Sequence, residues 1–336
     1  MKIIFLNIYQ NLIDRGAETF VKEVSERLSK IYEVKIFFGK KVPPTRWAIL
    51  WRLFVDPQGL AIALFTLKNL PAIWRGKYDV VIPVNGGWMP AIIRVVTWLY
   101  GGKMIISGQS GIGWDDRNNL WCFPDVFIAI STRAKLWAKR ANPLIKVKYI
   151  PNGVDLKKFQ ITNSKLQINL KKPIILCVAA LTKTKRIDLV IKAVAKLRDV
   201  SLLVVGDGDL RSKIYDLGSK MLGDRFKLTK LPFEDMPQVY RVADVFTLTS
   251  EPYYSFEIVL AEAMASGLPV VANNDPIRRE IVGEAGLFVD PTNIDLYAKT
   301  LEKALNMKWG NKPRNQAEKF SWDKITKKYE ELFVNL

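Results

Sequence analysis

The sequence predicts an α/β protein of two doubly wound domains, each built on a parallel sheet and facing the other across a cleft. Three observations predict it. The chain has 336 residues, more than one hydrophobic core usually serves, which points to two domains of roughly 150 residues each. Short β-branched runs alternate with helical patterns from the first residue, the mark of a parallel sheet with crossover helices. A turn-rich, polar stretch near residue 160 interrupts this alternation, which then starts again.

In the first half, residues 2–7, 34–38, 80–83, 104–107, 126–130 and 147–150 are expected strands, with helices over 17–29, 90–100 and 132–139 between them. The N-terminal run turns polar at Asn7, too soon for a signal peptide. Arg52, Asp56 and Pro57 break the best apolar stretch before it reaches the roughly 18–20 residues a bilayer span requires. A cytoplasmic location is therefore expected. Pro151-Asn152-Gly153-Val154-Asp155 reads as turns and residues 160–172 as a linker, giving domains at 1–160 and 161–320. Strands follow at 173–178, 201–205, 225–228, 245–248 and 269–272, with helices starting near 186, 210, 235 and 258. Residues 321–336 open on Ser321, a helix N-cap signal, and place Trp322, Ile325, Tyr329, Leu332 and Phe333 at helical spacing.

Composition removes several chemistries. Histidine is absent, and Cys122 and Cys177 lie far apart. A Ser-His-Asp triad, a histidine-ligated zinc site and a Cys-x-x-Cys pair are all excluded. The two cysteines read as small buried hydrophobes in a reducing compartment. The net charge of +18 is uneven: residues 1–160 hold 24 basic and 11 acidic residues, the remainder 27 and 22. Such a field suits phosphates of a nucleic acid or the headgroups of an acidic membrane, or serves solubility alone. No nucleic-acid motif accompanies it. Between residues 43 and 74, Trp47, Trp51, Phe54, Phe65 and Trp74 interleave with Arg46, Arg52, Lys68 and Arg75. That texture fits either an amphipathic membrane-surface segment that admits a lipid-linked acceptor, or core helices covering the first sheet.

Open α/β sheets bind ligands outside the carboxyl ends of their strands, so the motifs there carry the chemistry. Gly16, in Arg15-Gly16-Ala17-Glu18, sits at a helix entry, where glycine serves the turn itself or lets a phosphate approach helix-start amides. Lys183, Lys185 and Arg186 crowd the turn after residues 176–181, as neutralisers of a diphosphate or as a solvated loop. Glu262 lies in an otherwise apolar helix, a costly place for a carboxylate unless it meets a hydroxyl pair, such as that of a ribose, or a cation in a salt bridge. Asp207-Gly208-Asp209 reads as a turn, and Asp115-Asp116 as acceptor-side residues or partners of Arg117.

These pieces, together with Ile150 to Asp155, Val204-Val205-Gly206-Asp207-Gly208, Tyr240 to Phe246 and Glu262-Ala263-Met264-Ala265-Ser266-Gly267-Leu268-Pro269, resemble the GT-B-fold retaining glycosyltransferases of family 4, among the group 1 glycosyl transferases. The resemblance covers almost the whole chain. It implies two Rossmann-like domains, a nucleotide-sugar donor, a lipid-linked or glycan acceptor, and metal-independent transfer with retention of anomeric configuration. It further implies that Gly16 approaches the donor phosphates, that Lys185 binds the diphosphate with Arg186 nearby, and that Glu262 holds the ribose. The loop Tyr254, Ser255, Phe256 and Glu257 and the helix start Ile258 and Val259 would face sugar and phosphate, with Leu231 on the base side. Residues 321–336 would cross back onto the first domain. Four positions depart from the family pattern. Tyr254 stands where a carboxylate is usual and Glu257 where a glycine is, Ala180 stands for an arginine, and Gln109 occupies the place of a histidine. Glu257 is expected to supply the displaced carboxylate, Arg186 or Lys183 the guanidinium's charge, and Gln109 the hydrogen bonds of the imidazole. Lys185, Glu257 and Gln109 are thus the expected catalytic residues, and peripheral contact with an anionic membrane through the basic N-terminal domain is expected. A noncatalytic relative that binds a nucleotide sugar without transferring it is the alternative.

Overall fold

A computed structural model of the chain describes all residues except 14, 48, 49, 161–165, 167, 253 and 254. It divides into two compact units, Met1–Asn152 with Trp322–Leu336, and Gly153–Ser321. The described residues form one six-stranded parallel sheet in each.

The first unit runs β1 (Lys2–Asn7), α1 (Gly16–Leu28), β2 (Glu33–Phe38), α2 (Pro57–Gly76), β3 (Val80–Pro83), α3 (Trp88–Tyr100), β4 (Lys103–Gly108), α4 (Trp114–Trp121), β5 (Val126–Ala129), α5 (Thr132–Ala141) and β6 (Val147–Tyr149). Its strand order is β2-β1-β3-β4-β5-β6. Ile3, Ile4, Phe5 and Leu6 of β1 are all fully buried, because helices cover both faces of the sheet and leave no polar side to alternate with. Local chemistry fixes the helix ends. Asp56 accepts from the Gly59 amide at the start of α2 and Ser131 from the Ala134 amide at the start of α5, while Gly101 ends α3 at φ 84°.

The second unit runs α6 (Leu156–Phe159), β7 (Ile174–Val178), α7 (Ile187–Ala195), β8 (Ser201–Val205), α8 (Arg211–Leu222), β9 (Phe226–Thr229), α9 (Met236–Val242), β10 (Val245–Leu248), α10 (Ile258–Ala265), β11 (Val270–Asn273), α11 (Pro276–Val282), β12 (Gly286–Val289), α12 (Ile294–Asn306) and α13 (Lys312–Ala317). Strand order is β12-β11-β10-β7-β8-β9. The turn after β8 shows how closely the chain is packed: a Cβ on Gly206 would lie 1.9 Å from the Ala179 carbonyl oxygen. Only glycine fits there.

The expected strands match the observed ones to within a residue or two at each end. β12 was not anticipated. It is short, opens on a glycine, and lies at the sheet edge, and a Cβ on Gly286 would meet the Val270 carbonyl oxygen at 2.0 Å. Residues 156–159, next to the expected linker, form α6 and join the second unit. The last helix, α14 (Trp322–Val334), packs on α1 of the first unit, with the Phe20 ring 6.5 Å from Trp322 and 5.8 Å from Tyr329. Arg27 Nε donates to Asp323 at 2.8 Å at its rim. No helix among the described residues is long and apolar enough to cross a membrane.

Candidate functional site

A doubly wound sheet opens a crevice where the strand order reverses, and in the second unit that point lies between β7 and β10. Lys185, in the 3-10 turn after β7, directs its Nζ at both carboxylate oxygens of Glu257, 2.7 Å from each. Glu257 caps α10 at φ 60°, a left-handed conformation in which a glycine is at ease and a glutamate is held by its contacts. The same carboxylate receives Arg278 Nη2 at 3.4 Å. Side-chain exposure is 10% for Lys185, 7% for Glu257 and 2% for Arg278, so the three charges compensate one another away from solvent. Asp275 caps α11 by accepting from the Ile277 and Arg278 amides, and its other oxygen stands 3.7 Å from Arg278 Nε.

Arg186 takes a different direction. Its Nε donates to the Thr249 carbonyl at 2.7 Å and its Nη2 to the Ser250 carbonyl at 2.9 Å, while Thr249 Oγ1 donates back to the Lys185 and Arg186 carbonyls. Asn273 also donates to the Ser250 carbonyl. The carboxyl ends of β7, β10 and β11 are therefore laced together, and Arg186 serves as their brace. Lys183 and Ala180 are exposed. The guanidinium brought to Glu257 is Arg278, which sequence reasoning missed. Pro276-Ile277-Arg278-Arg279-Glu280 holds two adjacent arginines with nothing in their own types to separate them. The available signal was Asp275 ahead of Pro276, a cap that fixes which arginine turns inward.

Glu262, buried within α10, accepts from the Tyr240 hydroxyl at 2.7 Å. Burial, and then the Glu262 charge, push the Tyr240 phenol well above its ordinary value, so it donates throughout the neutral range. The hydroxyl that meets Glu262 in the protein itself is thus a phenol. Phe256 is buried against Phe320, ring centroids 5.4 Å apart, and Ser255 is half-buried. Ile258 and Val259 lie in the first turn of α10, whose amides have no partner within the helix. Leu231, half-buried, lies in the loop after β9. Tyr254 lies outside the described residues. Asp207 is occupied by Lys230 at 2.9 Å and Arg211 at 3.7 Å, within the tight Gly206–Gly208 turn.

In the first unit the order reverses between β1 and β3, and a second polar cluster sits there. Buried Asn7 donates to Gln10 and to Glu18 at 3.1 Å each and accepts from Asn85 at 3.2 Å. Gly16 is exposed at the first residue of α1. Gln109 follows β4 and forms a reciprocal amide pair with buried Asn152: Nε2 donates to Asn152 Oδ1 at 3.1 Å and Oε1 accepts from Asn152 Nδ2 at 2.8 Å. Its Nε2 also donates to Ser107 Oγ at 2.9 Å. Asn152 thus reads as the residue that positions Gln109. The expected pairing of Asp115 or Asp116 with Arg117 does not form, because neighbours one or two apart on a helix point away from each other. Asp115 pairs with Arg46 at 3.1 Å instead. Asp116 is buried beside Asn119, and burial pushes its carboxyl well above the usual carboxylate range, against the hydrogen bonds of Asn119 and the Gly111 backbone.

The family-model match falls on the second unit. Residues 158–321, all of that unit but its first five residues, match the family model described as glycosyl transferases group 1. The chain is 34% identical over 209 residues to MJ1607 of Methanocaldococcus jannaschii, described as an uncharacterized glycosyltransferase; the match covers 55% of this chain and 53% of that protein. The chain thus spans about half the length of that relative. It is 27% identical to the GDP-mannose-dependent alpha-(1-6)-phosphatidylinositol monomannoside mannosyltransferase of Mycolicibacterium smegmatis, over 73% of this chain and 72% of that one. Among solved structures, Anabaena Alr3699/HepE in complex with UDP and glucose superposes with a TM-score of 0.78 over the whole of both chains at 19% identity. The fold is GT-B, two Rossmann-like domains, as expected from the sequence.

Proposed function

We propose that this chain is a glycosyltransferase that moves a sugar from a nucleoside diphosphate sugar to a lipid-linked or glycan acceptor, with retention at the anomeric carbon and without a metal. The observation that carries the reading is the meeting of Lys185 and Arg278 on one buried carboxylate at the reversal point of the group 1 sheet. Two cations beside a helix start suit a dianionic leaving group better than any neutral ligand. The donor diphosphate takes Lys185 in exchange for Glu257, Arg278 stays beside the carboxylate, and the first-turn amides of α10 face phosphate and sugar. Glu262 receives the ribose hydroxyls in addition to Tyr240, Leu231 borders the base, and Gly16 lets the phosphates approach the start of α1. Gln109, held by Asn152, orients a sugar hydroxyl.

In this scheme the acceptor hydroxyl attacks from the face the diphosphate leaves. The bond from anomeric carbon to phosphate oxygen breaks, the new glycosidic bond forms, and the hydroxyl proton passes to a phosphate oxygen. The protein supplies position and positive charge. Contact of the basic first domain with an anionic membrane, where a lipid-linked acceptor resides, belongs to the same proposal. The test is a thermal-shift panel of UDP-, GDP- and ADP-sugars, followed by incubation of any stabilising donor with membrane extract and determination of the product's anomeric configuration. One donor class is expected to raise the melting temperature and to label the extract with retention. Stabilisation without transfer to any acceptor would favour the noncatalytic reading, and no stabilisation by any donor would overturn both. A Glu257→Ala variant that transfers as fast as the parent would remove Glu257 from the machinery.

A further inference from the structure

The first unit wears its apolar residues outside. Among the described residues, fifteen of the twenty-five exposed large apolar side chains lie between Val42 and Phe123. On α2 the solvent-facing stripe is Leu60, Leu64, Leu67, Pro71 and Trp74, spaced by alternating fours and threes, while the buried face offers Gly59, Ile62, Thr66 and Ile73. A surface helix of a water-soluble domain keeps that outer face polar. α3 likewise carries an apolar outer face: Trp88, Val95, Trp98 and Leu99 are exposed, although Met89, Ile93 and Val96 already fill its buried side. The two helices pack side by side, with Trp88 Nε1 donating to the Phe54 carbonyl at the start of both and the Trp74 and Tyr100 rings 6.2 Å apart at their ends. Leu64, Trp98 and Leu99, at 66%, 65% and 69% exposure, stand among the outermost points.

The charges around this face are mainly positive. Between Asp56 and Asp115 the sequence holds Lys68, Arg75, Lys77, Arg94 and Lys103 against a single acid, Asp79. Asp79 accepts from the Lys2 amide at 2.6 Å. Arg94 lies over the Trp98 ring, 4.7 Å from its centroid, with its apolar stem along the face and its head paired with Asp125. Exposed tryptophans, leucines between them and cations at the border are the features of a segment that lies in the headgroup layer. We infer that α2 and α3 together form a monotopic membrane face that inserts its leucines and tryptophans into an anionic phospholipid leaflet. The inference rests on the proposed membrane contact and relocates it from residues 43–74 alone to the paired outer faces of two helices. Basic charge draws the unit to the leaflet, and the apolar stripes hold it there.

The experiment uses the full chain and vesicles of phosphatidylcholine with or without phosphatidylglycerol. Binding by cosedimentation is expected to be strong with phosphatidylglycerol and weaker without it. Replacing both Leu64→Glu and Leu99→Glu is expected to lower the vesicle partition coefficient at least about tenfold, since carboxylates replace leucines that enter the leaflet. Both sites are exposed, so the nucleotide-induced thermal shift, read on the second unit, should stay unchanged and report separately on the donor reading. Brominated lipids should quench the parent's tryptophan fluorescence, and Trp98→Phe should reduce the quenched fraction. Vesicle binding that survives both leucine substitutions, or that high salt abolishes completely in the parent, would overturn insertion in favour of surface charge alone. A dimer in vesicle-free buffer that the leucine substitutions split, with no vesicle binding by the parent, would assign the face to a second copy of the chain.

Discussion

Replacing Glu257 by glutamine removes the one carboxylate that Lys185 and Arg278 share while keeping its size. Lys185 loses two contacts of 2.7 Å and Arg278 one of 3.4 Å, at side chains that are one-tenth exposed or less. Breaking a buried pair by deleting one partner costs about 3–5 kcal/mol, because the remaining charge is left uncompensated. Here two cations remain, but the glutamine oxygen retains one hydrogen bond, and the residual exposure of Lys185 admits water. A net loss of about 3 kcal/mol follows. At about 2–4 °C per kcal/mol for a domain of this size, the unliganded melting temperature should fall by about 6–12 °C. The variant's second property separates this reading from a general packing defect. If the diphosphate binds as proposed, it must displace Glu257 from Lys185 in the parent, whereas in the variant it meets the two cations without the Glu257 charge between them. Saturating nucleoside diphosphate should therefore raise the melting temperature of Glu257→Gln by more than it raises the parent's. Scanning fluorimetry with and without the nucleotide measures both. An unchanged unliganded melting temperature, or a smaller ligand response than the parent's, would refute the reasoning.

Four further outcomes are expected. Asp116 has a folded pKa raised above its unfolded value, so the folded state holds the extra proton and its contribution is complete below about pH 4. It is lost as pH rises through the folded value, so Asp116→Asn should flatten the decline of first-unit stability with pH seen in urea titrations. Burial pushes the Cys122 thiol to about 11 and the Cys177 thiol to about 12, so iodoacetamide at neutral pH should label neither quickly, and Cys177 only on unfolding. Gln109→Ala leaves the amide of buried Asn152 without its partner and should cost about 1–3 kcal/mol. Any loss of activity must be read beside that cost, and an Asn152→Ala, Gln109→Ala cycle in chemical denaturation should show strong coupling. Gly206→Ala places a methyl group 1.9 Å from the Ala179 carbonyl oxygen and should shift the whole β7 to β8 connection, seen as a loss of more than about 3 kcal/mol and of nucleotide response together.

The fold was legible because parallel strands buried on both faces are continuous apolar runs, which stand out in β1, β8 and β10 without any knowledge of their neighbours. Strand order was not read from the sequence, since hydrogen-bonded neighbours such as β7 and β10 are far apart along the chain, and β12 escaped because four residues opening on glycine carry no period. Within the site, Lys185 was singled out for the turn it occupies and Glu257 through its departure from the family pattern. That they hold each other was not visible, since they are 72 residues apart. Arg278 was hidden for the same reason: nothing local distinguishes it from Arg279, whose Nε reaches Asn274 at the surface. The outward apolar stripes were in the letters of α2 and α3 all along. Periodicity reports that a helix has an apolar face and leaves open which way that face points, a choice made by the sheet the helix lies on.

The two glutamates of the α10 region show why position on a helix does not assign a role. Glu257 and Glu262 are five residues apart, yet one is the counter-ion of two cations and the other accepts from a phenol. On the proposed reading, a diphosphate competes with the first and leaves the second in place. Glu262 joins Tyr240 across the interior to α9, so on the same reading a ribose hydroxyl would add to an existing bond. For the proposed donor to bind, Glu257 would have to release Lys185, and the strength of that pair would be subtracted from the donor's affinity. The same pair keeps the site near neutrality when empty, which disfavours capture of isolated phosphate: a single weakly held anion gains too little to separate Lys185 from Glu257, whereas a nucleotide brings base and ribose contacts as well. Selectivity for the whole donor over its fragments should therefore narrow in Glu257→Gln, with inorganic pyrophosphate gaining more than the nucleoside diphosphate in inhibition of donor binding. An equal gain for both would place the discrimination in the base and ribose contacts alone.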